Sequence, residues 1–258
     1  MATGNCQGGV AVLDGSQVAE IRQRAEAKRS EVGFGVFAPM GSKVLYCLSQ
    51  MGILTLRFPI GDLDLGAFIG RRNGQDVVFI NTALPRGKQH FAAAHELYHA
   101  WFDADALSTW NTVCEIGDNG GSSLREKQAN RFAAEFLVPR SGMDRFIHSL
   151  PSCFEVLDHV VLLSDYFEVP SKTIILRLEE EQYISSKDKE TLLSDPAVFM
   201  KRRDELGLDN SIEEPTHDRN VSPSFRAVMR ENIRHGRVSG AKIAELNELL
   251  DSMPYVSE

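Results

Sequence analysis

The chain has 258 residues, 43% hydrophobic and 25% charged, with a formal net charge of −8 and a pI near 5.4. That length can bury one good core and a smaller second one. The acidic balance argues against a broad nucleic-acid-binding surface and leaves room only for a local basic stripe.

No apolar run approaches the roughly 18 residues of a membrane span, so no membrane partner is expected. The opening MATGNCQGGVAVLDG lacks both a basic segment and a long apolar one, and no secretory signal is expected. Cys6, Cys47, Cys114 and Cys153 show no C-x-x-C spacing. Reduced thiols and a cytoplasmic location follow as the expectation.

Gln17–Ser30 reads as a charged helix. The segments 53–60 (ILTLRFPI), 66–72 (GAFIGRR) and 76–82 (DVVFINT) read as strands, and Asn73-Gly74 between the last two is a strong hairpin signal. A strand of this sheet is a candidate edge for main-chain pairing with an extended peptide, and a plain scaffold hairpin is the alternative.

Residues 91–103, FAAAHELYHAWFD, set two imidazoles and a carboxylate in a helix that is otherwise apolar. Such a helix belongs in a core. Buried polar groups without partners cost on the order of 2–7 kcal/mol each, so something must compensate. His95 and His99 are four apart and share one helix face, where both rings can turn toward one cation. Glu96 is displaced round the helix and placed to act on a water rather than on the metal. This is the HExxH arrangement, with Glu96 as general base and catalytic residue. A core helix with two satisfied histidines is the alternative.

Residues 106–123 form a long connection of the kind that is usually functional or disordered. Cys114 lies within it. A thiolate there is a candidate inhibitory fourth zinc ligand, able to take the position that water needs; a small buried hydrophobe is the alternative.

Two histidines leave a catalytic zinc site one protein ligand short. The segment 122–139, SSLREKQANRFAAEFLVP, supplies the next strong helical pattern, with Ala129, Phe132, Ala133, Phe136 and Leu137 on one arc. Glu126 borders that arc and is the candidate third ligand. Its rival role is in a capping box with Ser123. Glu135 projects from the opposite side and is a poor ligand candidate. Asn130, one turn after Glu126, is a candidate partner for a histidine ring, or else an ordinary surface asparagine.

HELYH followed by EKQANRFAAEFLVP resembles the ImmA/IrrE zinc metallo-endopeptidases, in which an A-H-E-x-x-H helix precedes E-x-x-A-N-x-F-A-x-x-L-x-P. The resemblance covers roughly residues 50–185 and implies one Zn2+ held by His95, His99 and Glu126, with Glu96 as catalytic base. It implies an α+β fold: a minimal zincin-like metallopeptidase domain with a small antiparallel or mixed sheet over 1–148, then a helix-turn-helix-like module over 149–194. A linker and helical segment over 195–258 complete the expected organisation. Tyr98 stands where many relatives place glycine, and its ring is expected either to narrow the cleft or to assist the oxyanion. The resemblance further implies a helix-turn-helix transcriptional repressor as substrate, whose cleavage releases stress or defence genes.

Downstream, 156–185 reads as two helices joined at Val169-Pro170-Ser171. Lys172 and Arg177 are offset by Glu179, Glu180 and Glu181, which would repel phosphates. A docking or core-completing module is therefore expected rather than a DNA reader. After Asp195 the chain reads as polar and irregular, with 205–224 as a linker. A final helix carries Arg226, Arg230 and Arg234 at four-residue spacing. That stripe is a solvated face, or a site for single-stranded nucleic acid or an acidic partner. It also supports the alternative of a non-cleaving, zinc-bearing regulator that binds a repressor or nucleic acid.

Overall fold

A computed structural model of the chain describes residues 13–72, 74–105, 107, 112–115 and 123–251, with only the backbone of 112–115, 246, 247 and 249–251. Helix α1 (Gly15–Glu31) begins at Asp14, whose carboxylate accepts from Gln17 N while Gln17 reaches back to Asp14 N. That reciprocal cap satisfies two of the amide hydrogens a helix start leaves open. Helix α2 (Lys43–Gln50) then leads through Gly52, at φ 70°, into the sheet.

Strands β1 (Leu54–Phe58), β2 (Leu65–Arg72), β3 (Gln75–Asn81), β4 (Thr112–Glu115) and β5 (Asn220–Val221) form one mixed sheet in the order β4-β2-β3-β1-β5. The β2–β3 hairpin pairs Arg72 with Gln75, and Gly74 takes φ 77°, as a tight two-residue turn requires. β1 runs parallel to β3, with Leu54 opposite Val77. Asn81 is fully buried and its amide is fully used. It accepts from Ile60 N and Ala83 N at 2.9 and 3.0 Å and donates to Asp62 O and Leu65 O at 2.8 and 2.9 Å. Four bonds to one side chain fix the chain between β1 and β2.

Helix α3 (Arg86–Phe102) packs across β2 and β3 and against α2 and α4 (Leu124–Leu137). It starts before the predicted apolar segment, immediately after Pro85. At Gly87 an added Cβ would lie 3.1 Å from both Val169 C and Pro170 N, so glycine allows α3 to approach that turn closely. α1 packs against α4, and Ile21 and Ala25 join the apolar cluster.

Helices α5 (Arg140–Ser149), α6 (Val156–Phe167), α7 (Ser171–Glu180), α8 (Ser186–Ser194) and α9 (Ala197–Glu205) follow. The turn between α6 and α7 passes through Glu168 in the left-handed region, φ 53°. Arg177 of α7 points inward and is buried. It donates to both oxygens of Glu135 at 3.0 and 2.8 Å, and Arg22 and Arg131 reach the same carboxylate at 3.1 and 2.5 Å. α7 is thus committed to the interior by one guanidinium and by Ile174, Ile175 and Leu178.

Two stretches differ from the sequence reading. The chain after Asp195 is not irregular throughout, since 197–205 form α9 with Phe199 and Arg203 buried. The expected linker over 205–224 contains β5, which pairs antiparallel with β1 through Leu56 opposite Val221. Ile212 and Val221 are buried, and Pro85 bridges to Pro215. Burying those two side chains is worth about 1.5–3 kcal/mol each, enough to fix a polar segment that has no periodic signature of its own. Helices α10 (Pro223–Arg234) and α11 (Gly240–Asp251) end the described chain.

Candidate metal centre

α3 and α4 bring three predicted ligands together. His95 and His99 are buried on one face of α3, and Glu126 reaches them from the first turn of α4. The His95 Nε2 to His99 Nε2 distance is 3.1 Å, that from His95 Nε2 to Glu126 Oε2 is 3.0 Å, and that from His99 Nε2 to Glu126 Oε1 is 3.5 Å. Ligand atoms about 2.0–2.1 Å from a tetrahedral zinc lie about 3.3 Å from one another. The measured triangle has that size, so the three side chains fit one such ion.

Burial pushes the Glu126 carboxyl up, but hydrogen bonds and charge from His95 and His99 outweigh it and hold the group far below the usual carboxylate range. It is ionised, as a metal ligand must be. Ser123 Oγ accepts from Glu126 N at 3.2 Å while the Glu126 side chain turns to the histidines. The serine therefore caps the helix without a reciprocal capping box.

Each histidine is held from behind. His95 Nδ1 donates to Asn130 Oδ1 at 2.9 Å, and His99 Nδ1 donates to Asp103 Oδ2 at 2.7 Å. With Nδ1 kept protonated by these partners, each ring would turn an Nε2 lone pair to a bound ion in place of the proton it shares with Glu126. Asp103 was missed in the sequence, although its i, i+4 spacing from His99 was a usable signal. Glu96, next in sequence to His95, is fully buried on the same helix.

Tyr98 is buried, with its hydroxyl donating to Gln128 Oε1 at 3.2 Å. Its ring packs on Phe102 and Phe132, with centroids at 5.2 and 5.6 Å. The side chain thus ties α3 to α4, with its phenol on Gln128. Trp101 extends this cluster to Phe132 and Phe136 at 5.8 and 5.6 Å. Cys114 lies on β4, its backbone paired with Ala67 of β2, and its side chain is outside the described residues. Arg226, Arg230 and Arg234 lie on α10, which contacts β1; Arg234 pairs with Glu231 at 3.0 Å. Among the described residues no helix is long and apolar enough to cross a membrane.

Comparison with known proteins bears on this arrangement. No curated protein sequence matches the chain significantly. Among solved structures, a Mycobacterium tuberculosis transcriptional regulator matches with 20% identity and a TM-score of 0.44, over 62% of this chain and 47% of that one. The chain therefore spans about half the length of that relative. The profile of the IrrE N-terminal-like domain, a peptidase family, matches residues 48–179, which include β1 to β3, the helices α3 and α4 that carry His95, His99 and Glu126, α5, α6 and all but the last residue of α7. The chain belongs to the IrrE N-terminal-like domain family, a family of metallopeptidase type.

Proposed function

We propose that this protein is a zinc-dependent endopeptidase that cleaves a helix-turn-helix transcriptional repressor and so switches on stress or defence genes. The observation that carries the peptidase reading is the convergence of His95, His99 and Glu126 beside Glu96, within a chain of a metallopeptidase family. Zinc bound by those three would supply Lewis-acid activation of water and of the scissile carbonyl. Glu96 takes the proton of the attacking water and passes it to the leaving amine nitrogen. Asn130 and Asp103 keep the two imidazoles turned with Nε2 inward throughout. A partner repressor is the substrate class suggested by the family resemblance, and a reducing cytoplasm suits Cys47 and Cys153, which are free thiols.

Glu96→Gln tests the reading. It keeps the size of the side chain and leaves the three ligands in place. The variant should bind zinc like the parent and still associate with a helix-turn-helix repressor that the parent cleaves, while fragments of that repressor disappear. Undiminished cleavage by Glu96→Gln would remove Glu96 from the chemistry, and gene induction without any fragments would favour a non-cleaving regulator.

A further inference from the structure

The two ring histidines are supported unequally. His95 leans on a neutral amide oxygen of Asn130, whereas His99 leans on a carboxylate of Asp103 at the shorter distance, 2.7 Å against 2.9 Å. Asp103 is well placed for this. It is the residue at which α3 ends, with φ −120° and ψ 21°, and its N–H still caps His99 O at 3.0 Å. Leaving the helix at that point lets its side chain fold back onto the ring four residues earlier. Its second oxygen faces Arg125 Nε at 3.4 Å, and Arg125 precedes Glu126 in the first turn of α4. Asp103 therefore touches one ligand directly and is linked to the helix that carries another. Its side chain is only 12% exposed, so water competes weakly for the bond.

We propose that Asp103 is the principal positioning residue of the metal centre: it fixes His99 with Nδ1 protonated and Nε2 facing the ion, and contributes more to metal affinity than Asn130 does. This rests on the metal-site reading above. A carboxylate acceptor makes a stronger bond to an imidazole N–H than an amide does and raises the donor strength of the opposite nitrogen. Such outer partners are typically worth about 10–100-fold in metal affinity.

The test is zinc affinity, measured by competition with a chromophoric chelator, for the parent, Asp103→Ala, Asp103→Asn and Asn130→Ala. Folding of each metal-free variant is checked by circular dichroism. Asp103→Ala should weaken binding about 10–100-fold, more than Asn130→Ala, and Asp103→Asn should fall between parent and alanine because it restores an acceptor oxygen. Long-range nitrogen–proton spectra of the metal-free proteins should show the His99 proton on Nδ1 in the parent and shared between both nitrogens in Asp103→Ala. A parent that binds no zinc would overturn the metal site itself. A parent that binds while Asp103→Ala stays within about threefold of it, below the usual outer-partner range, would overturn the positioning role alone. So would an asparagine variant no better than alanine, or an unchanged His99 tautomer.

Discussion

Glu135→Ala should destabilise the protein by about 3 kcal/mol, because the carboxylate it removes neutralises a buried guanidinium. Glu135 is 2% exposed and receives hydrogen bonds from Arg177, Arg22 and Arg131. Removing one partner of a buried ion pair usually costs about 3–5 kcal/mol, since a charge is left without compensation in a poorly solvated place. The lower end applies here. Arg177 keeps Glu180 and Glu181 at 2.9 and 3.2 Å, so its charge is reduced in support rather than stranded. In a chain of this size each kcal/mol moves the melting temperature by about 2–4 °C, giving a drop of about 6–12 °C. Urea denaturation followed by circular dichroism provides the free energy, with Glu190→Ala on the exposed face of α8 as control. The control should stay within about 0.5 kcal/mol of the parent. A loss below about 1 kcal/mol for Glu135→Ala would mean that the cluster is effectively solvated and the interior charge argument wrong.

Zinc should raise the melting temperature, by about 2.7 kcal/mol of added stability when free zinc is 100 times its dissociation constant; chelator should reverse this, and His99→Ala should abolish it in a fluorescence melting assay. His90 predicts a pH dependence. Burial pushes its pKa below the ordinary 6.5, against the upward pull of Glu168, so the native state resists a proton that the unfolded chain accepts. Stability from this residue is therefore complete above pH 6.5 and is lost as the pH falls below it. Urea midpoints taken from pH 7.5 down to 5.5 should decline less steeply in His90→Gln, and identical slopes would show that His90 titrates alike in both states.

Much of the site was legible because it is local. A four-residue spacing on one helix puts His95 and His99 on a shared face whatever the rest of the chain does. Glu126 was legible for a related reason, as it borders the apolar arc of the next amphipathic helix. The hairpin of β2 and β3 was announced by Asn73-Gly74. What escaped was set by distant partners. Glu135 was rightly kept out of the ligand set, yet its burial depends on Arg22 and Arg177, 113 and 42 residues away. β5 is two residues long and exists because β1 offers it an edge, so no alternation could reveal it. The packing of Tyr98 on Gln128 and Phe132 likewise depends on a helix about 30 residues away and left no signal in the sequence.

The ring cluster formed by Tyr98, Trp101 and Phe102 against Phe132 and Phe136 works as a rigid spacer between α3 and α4. Widening the gap would open voids among rings packed at van der Waals contact, so the aperture between the histidines and Glu126 is not freely adjustable. A fixed small aperture with two nitrogen donors discriminates by size and by softness. Such a site would suit calcium poorly, since that ion takes six to eight oxygens at about 2.3–2.6 Å, and would suit small borderline ions better.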